Sequence, residues 1–199
     1  MNLVALKIAD PPAAAALTEA ADSDECLRDA RAGNPAAFGR LITLHQARVF
    51  SLALRLTGRR EDAEELAQDA FLQLHGNLAR IDSPAHLRHW LYRTVTHRTI
   101  DHLRRRARQP LYVPADSAAE PAAEPAADAD ESDPLLRRRL LQLILQLPEM
   151  ARAVIVLRFQ EDLDPVDIAR LLDMPINTVK SHLRRSLDWL RLQELELWR

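Results

Sequence analysis

Apolar residues return every three or four positions through much of this chain, the spacing of a helix with one buried face. The clearest series runs Phe38, Leu41, Ile42, His45, Val49, Leu52 and Leu56. Asn34-Pro35 precedes it, a capping side chain with proline in the first turn, and Thr57-Gly58 follows it. One long helix between those signals is predicted. A second series, Ala63, Leu66, Ala67, Ala70, Phe71, Leu74 and Leu78, predicts a helix from about Glu61, with carboxylates in the first turn where the dipole favours them. Ser83-Pro84 opens another, to about Arg108, on which Leu91, Val95, Thr99 and Leu103 recur at spacing four. Helical signals also begin at Ser23.

The periodicity lapses in two places. Residues 1–22 are rich in alanine and proline and predict a loose tail. Residues 109–133, QPLYVPADSAAEPAAEPAADADESD, have no period and predict a flexible acidic linker. Beyond it, Asp133-Pro134 predicts a helix to about Leu147, and Pro148 interrupts it. A helix from Glu149 to about Phe159 is predicted next, then a short one opening at Asp164-Pro165, and a last one opening at Pro175. With only four glycines and a predominance of Leu, Ala, Arg and Glu, the fold class is all-α. It comprises two helical modules, 23–108 and 134–199, and the second contains a helix-turn-helix.

The net charge of −2 conceals a segregated distribution. Seven arginines lie between Arg88 and Arg108 against one aspartate, whereas residues 115–133 hold seven carboxylates and no cation. The single cysteine, Cys26, allows no internal disulfide and suits a reducing cytosol. No stretch approaches the eighteen apolar residues of a membrane span, and no signal peptide is read, so a cytoplasmic protein is expected.

Three faces carry candidate chemistry. On the last helix, Ile176, Val179, Leu183, Leu187 and Leu190 share one side. Asn177, Thr178, Lys180, Ser181, Arg184 and Arg185 share the other, with His182 beside them. A short helix, a tight turn at Leu172-Asp173-Met174 and this amphipathic helix form a pattern whose second helix enters the major groove. There arginine can fork onto guanine, and lysine, serine and threonine can meet phosphates or base edges. A solvated charged face is the plainer alternative, but Asp188 is the exception among few acids here. On the helix after Ser83, Arg93, His97, Arg104 and Arg108 line up opposite the apolar stripe, flanked by Arg98 and Arg105. A one-sided guanidinium row over some four turns suits a polyanion. On the helix from Glu61, the residues Glu65, Gln68, Asp69 and Leu72 form a second stripe, and a leucine amid polar groups points to a protein partner. His86, His89, His97 and His102 lack a third ligand at metal spacing, so no metal is expected. Neither a glycine-rich phosphate loop nor a nucleophile elbow is present, and no cofactor or enzymatic activity is expected. On pattern alone a two-domain DNA-binding regulator and a protein-binding helical adaptor both stay open.

The order of the segments narrows this. NPAAFGRLITLHQARVFSLALRLTG, EDAEELAQDAFLQLHGNL, HLRHWLYRTVTHRTIDHLRRR and LPEMARAVIVLRFQEDLDPVDIARLLDMPINTVKSHLRRSLDWL together resemble sigma factors of the extracytoplasmic-function (ECF) group of bacterial RNA polymerase. The resemblance covers nearly all of residues 24–195. TVKSHL alone would suit response regulators equally; WLYR…DHLRRR after DAEEL.Q..F would not.

The resemblance implies a first module (23–108) that binds core polymerase and the −10 promoter element, and a second (134–199) that binds the −35 element. Glu65, Gln68, Asp69 and Leu72 would face the clamp helices of the β′ subunit, with the β flap a further polymerase contact. Arg93, His97, Arg98, Arg104 and Arg105 would engage the −10 element, His97 near a flipped-out base. Thr178, Lys180, Ser181, His182, Arg184 and Arg185 would read the −35 element. An anti-sigma factor is a further implied partner. His97 stands where many of the group have asparagine, Asp173 and Asn177 replace common glycines, and His182 and Leu187 replace frequent arginines. The promoter sequence is therefore expected to be this protein's own.

Overall fold

The computed structural model describes residues 23–108 and 134–196. The tail 1–22, the linker 109–133 and residues 197–199 lie outside the described residues. The described chain is helical, with no strand among the described residues: α1 (residues 23–31), α2 (Pro35–Thr57), α3 (Arg60–Asn77), α4 (Pro84–Arg108), α5 (Pro134–Gln146), α6 (Glu149–Phe159), α7 (Pro165–Leu171) and α8 (Ile176–Glu196). A short 3₁₀ turn, Leu78–Arg80, extends α3.

Local chemistry sets several of the boundaries. The Asn34 side chain accepts from the backbone N–H groups of Ala36 (3.0 Å) and Ala37 (3.3 Å), two donors that the start of a helix leaves unpaired. Gly58 adopts φ 72° and donates to Leu54 O at 2.7 Å, closing α2 in a left-handed conformation that glycine enters without strain. Asp164 repeats the N-terminal device for α7, accepting from Val166 N at 2.8 Å and Asp167 N at 3.1 Å.

The predicted apolar series become the core. Leu41, Val49, Leu52 and Leu56 of α2, the whole series on α3 with Leu78, and Leu91, Val95 and Thr99 of α4 are buried. Leu103 and His45 are half-buried. Cys26 is buried, and Trp90 and Trp189 pack partly covered against the core. In the second module, α6 packs against α7 and α8, and its Ala153, Val154, Ile155, Val156 and Leu157 are fully buried.

The two modules do not stand apart. Helix α2 meets α5 and α6, helix α4 meets α6 and α7, and one continuous apolar cluster runs through both modules. Arg152 of α6 is central to the junction: its guanidinium donates to Leu56 O at the end of α2 and to Leu145 O and Leu147 O at the end of α5. Carbonyls that a helix terminus leaves unpaired are thus satisfied by one side chain from another element. Gly58 also lies against Leu145, so closely that a β-carbon there would fall 2.7 Å from Leu145 Cδ1.

Candidate nucleic-acid interface

Helices α7 and α8 form the helix-turn-helix. The turn is tight because Asp173 takes φ 51°, letting Met174 N donate back to Ala169 O at 3.0 Å. Aspartate tolerates this left-handed region better than most side chains. Pro175 O then accepts from Thr178 N at 2.9 Å and starts α8. Buried Ile168, Leu171, Leu172, Val179 and Leu190 fix the two helices against each other and α6. The opposite face of α8 is thereby turned outward. Asn177, Thr178, Lys180, Arg184 and Arg185 are exposed, and Ser181 and His182 are half-buried. Among the described residues, Lys180, Arg184 and Arg185 meet no carboxylate; Asp188, the acid on this helix, pairs with Arg191 at 3.6 Å. Three cations on one helix face, without a carboxylate partner among the described residues, are placed to meet phosphates or bases.

The row on α4 is divided. Arg98, Arg104, Arg105 and Arg108 line an open groove of about 370 Å³ together with Asp101. Arg98 lies against the side-chain amide of Gln73 on α3, whose oxygen accepts from Arg98 Nε and Nη2 once the amide is turned to face them. Arg93 and His97, by contrast, are engaged by the second module. Arg93 Nη2 lies 2.6 Å from Asp173 Oδ2, and His97 Nε2 lies 2.9 Å from Leu171 O. A carbonyl can only accept, so His97 carries a proton on Nε2. The turn of the helix-turn-helix therefore sits over the first half of the row. Arg106 belongs to the fold instead: its guanidinium meets Asp62 at 2.9 Å, which also draws Arg59 (3.4 Å) and His102 (3.5 Å) and ties α3 to α4.

The third face is open. Leu72 is 72 % exposed on α3, Glu65 and Gln68 are exposed, and Asp69 is half-buried beside them, while Leu66, Ala70, Phe71 and Leu74 on the other side are buried. No group of three or more His, Cys, Asp or Glu side chains among the described residues could hold a metal ion, and no described helix is long and apolar enough to cross a membrane.

Sequence reasoning missed the residues that join the modules: Arg48, Arg88 and Tyr92 on one side, Arg152 and Glu161 on the other. Burial pushes the Glu161 carboxyl above its ordinary range, against the pull of the Tyr92 hydroxyl and of Arg48, Arg55 and Arg88. Burial and the neighbouring Glu161 likewise push the Tyr92 hydroxyl up. His45 is held down at about 4 by burial and then by Arg48 and Arg88. Arg152 was discoverable, being a cation amid the apolar run of EMARAVIVLRF. The others give no local signal.

An all-helical chain with a helix-turn-helix and two separated basic faces is a DNA-binding protein by its chemistry, and comparison with known proteins specifies the kind. Residues 41–109 match sigma-70 region 2, and residues 137–190 match sigma-70 region 4. The chain is 29 % identical to the ECF RNA polymerase sigma factor SigW of Bacillus subtilis, over 86 % of this chain and 96 % of that one. It is 32 % identical to the ECF RNA polymerase sigma factor SigM of Mycobacterium tuberculosis (78 % and 76 %), and 30 % identical to the RNA polymerase sigma-H factor of Pseudomonas aeruginosa (78 % and 85 %). CnrH, solved in complex with the cytosolic domain of CnrY, has the same fold at a TM-score of 0.60 and 22 % identity, covering 86 % of this chain and 96 % of that one. RpoE of Bartonella quintana, solved with the anti-sigma factor NepR, also matches at 0.60 and 22 %, over 79 % and 95 %. The chain belongs to the ECF sigma factors of RNA polymerase.

Proposed function

We propose that the chain guides core RNA polymerase to promoters by a two-point grip, with the first module (23–108) on the −10 element and the second (134–199) on the −35 element. The outer face of α8 carries this reading: exposed Thr178, Lys180, Arg184 and Arg185, with Ser181 and His182 at its edge, present forked and point-charge donors that meet no carboxylate among the described residues. The groove of Arg98, Arg104 and Arg105 takes the −10 strand, and Arg93 and His97, which the second module covers here, join it once uncovered. Exposed Leu72 with Glu65, Gln68 and Asp69 docks on the β′ clamp helices, and the second module meets the β flap.

Each module alone holds a short stretch of DNA. Joining both through polymerase makes the second contact effectively intramolecular, so affinity rises without new contacts. The chain contributes recognition and no bond-making chemistry, and it works in the cytoplasm where polymerase is. An anti-sigma factor is its regulatory partner, as the pairing of RpoE with NepR suggests.

The test is reconstitution with core polymerase and measurement of open-complex formation on a promoter library. Open complexes on a defined subset of promoters are expected, with steep salt dependence. A chain that fails to co-purify with core, or forms no open complex on any member, refutes the reading.

A further inference from the structure

At the module junction lies a cleft of about 320 Å³, lined by Arg48 of α2, Arg88 and Tyr92 of α4, and Gln160, Glu161, Asp162 and Leu163 of the α6–α7 turn. The turn inserts an acidic side chain into a basic pocket of the other module. Glu161 lies in this cleft beside Tyr92, Arg48, Arg55 and Arg88 attract its carboxyl, and Gln160 Nε2 reaches Ser51 Oγ of α2 at 3.5 Å. Glu161 is followed by Asp162 at φ 52°, a left-handed residue that turns the chain back toward α7. From this seat the chain runs directly through α7 to the Leu171–Asp173 turn that covers His97 and Arg93.

We propose that Glu161 is an intramolecular latch: held between Arg48, Arg88 and Tyr92, it keeps the helix-turn-helix over Arg93 and His97, so the free chain has its α8 face open and half of its α4 face shut. This rests on the assignment of Arg93 and His97 to DNA. The latch is built for release rather than permanence. Glu161 Oε1 has no hydrogen-bond partner among the described residues, so its carboxylate gives up solvation that the pocket returns only in part. The contacts at the far end, an exposed ion pair and one carbonyl bond, are ones that water or phosphate can replace. The hold of the helix-turn-helix on α4 is thus modest, while Arg152 and the shared apolar cluster keep α6 on α2. A partner that takes Arg93 and His97, or that separates α4 from α7, competes with it directly, and the recognition face of α8 is never involved.

The test uses the free full-length chain and its Glu161→Arg variant, which sets a cation against Arg48 and Arg88. Small-angle scattering reads the radius of gyration, and a fluorescein-labelled random-sequence single-stranded DNA 12-mer reads the α4 face. If the open fraction rises from about a tenth to nearly all molecules, the variant binds the 12-mer roughly tenfold more tightly and its radius increases. Adding Arg88→Glu to Glu161→Arg restores attraction and reverses the increase in radius. Should Glu161→Arg prove unfolded by circular dichroism, Arg88→Glu alone, at an exposed position, sets two carboxylates together and is expected to expand the chain. An unchanged radius in every folded variant overturns the latch. A larger radius with unchanged 12-mer affinity overturns the masking of α4, a result distinct from failure to form open complexes with core.

Discussion

Arg93 and Asp173, 80 residues apart in the chain, are joined by an ion pair of 2.6 Å that links the basic row of one module to the turn of the other's helix-turn-helix. Asp173 therefore has two tasks, shaping a left-handed turn at φ 51° and meeting a guanidinium. The tasks separate by substitution. Asp173→Ala loses the pair and keeps the strained backbone, whereas Asp173→Gly loses the pair and relieves the strain, so the glycine variant is expected to be more stable by about 1 kcal/mol. Urea denaturation of the two variants decides it; an alanine variant as stable as the glycine one shows that the turn stores no strain.

Arg152 satisfies carbonyls of Leu56, Leu145 and Leu147 at once. Arg152→Met keeps the apolar stem and removes every donor, and is expected to lower the unfolding free energy by about 2–3 kcal/mol, since charge-assisted bonds to partly buried acceptors are lost. A loss below about 0.5 kcal/mol in chemical denaturation would show that water replaces the guanidinium freely.

His45 gives the stability a pH dependence. Its folded pKa is about 4, held down by burial and by Arg48 and Arg88, against an ordinary value of 6.5. As pH falls through that window the unfolded chain takes up the proton first, so stability is complete above about 6.5 and declines toward 4. The His45→Gln variant lacks this component. Unfolding free energies of the two proteins, compared at intervals from neutral pH to about 4, should diverge, with the wild type losing more; parallel curves rule it out.

Leu72 projects from α3 without supporting the core. Leu72→Asp is expected to leave the unfolding free energy within about 0.5 kcal/mol of wild type. Competition for core polymerase should show affinity reduced at least tenfold, and undiminished competition removes α3 from the polymerase contact.

On α8, alanine at Arg184 or Arg185 is expected to cost roughly 1–3 kcal/mol at the promoter position each reads, and to relax choice there. Lys180→Ala should instead weaken binding evenly across promoters and lower the salt slope by about one. Promoter-library selections with each variant separate base reading from phosphate binding. Unaltered promoter choice in both arginine variants would exclude α8 from −35 recognition.

Much of the fold was legible because helices are encoded locally. Asn34-Pro35, Gly58 and Asp164-Pro165 act within a few residues of the boundaries they set, and the predicted apolar series are the ones that end up buried. The tight turn at Asp173 could be expected from its place between two amphipathic helices, and its left-handed backbone from the glycine common there in the family it resembles. The open α8 face and the exposed Leu72 stripe were likewise visible, since a residue opposite a buried stripe has nowhere else to point.

The sequence by itself thus determined the helices, their buried faces and the chemistry of the outward ones. Only the tertiary structure decided which outward residues are free. Arg93 and Arg104 read alike along the helix, yet one is paired to Asp173 and the other lines an open groove. Arg106 reads as part of the same basic run and is spent on Asp62. The difference arises from module packing, in which Glu161 enters a pocket of Arg48, Arg88 and Tyr92 and brings the helix-turn-helix with it. Such pairings depend on surfaces far apart in sequence, and periodicity, which reports a residue's own helix, carries no trace of the helix it will meet.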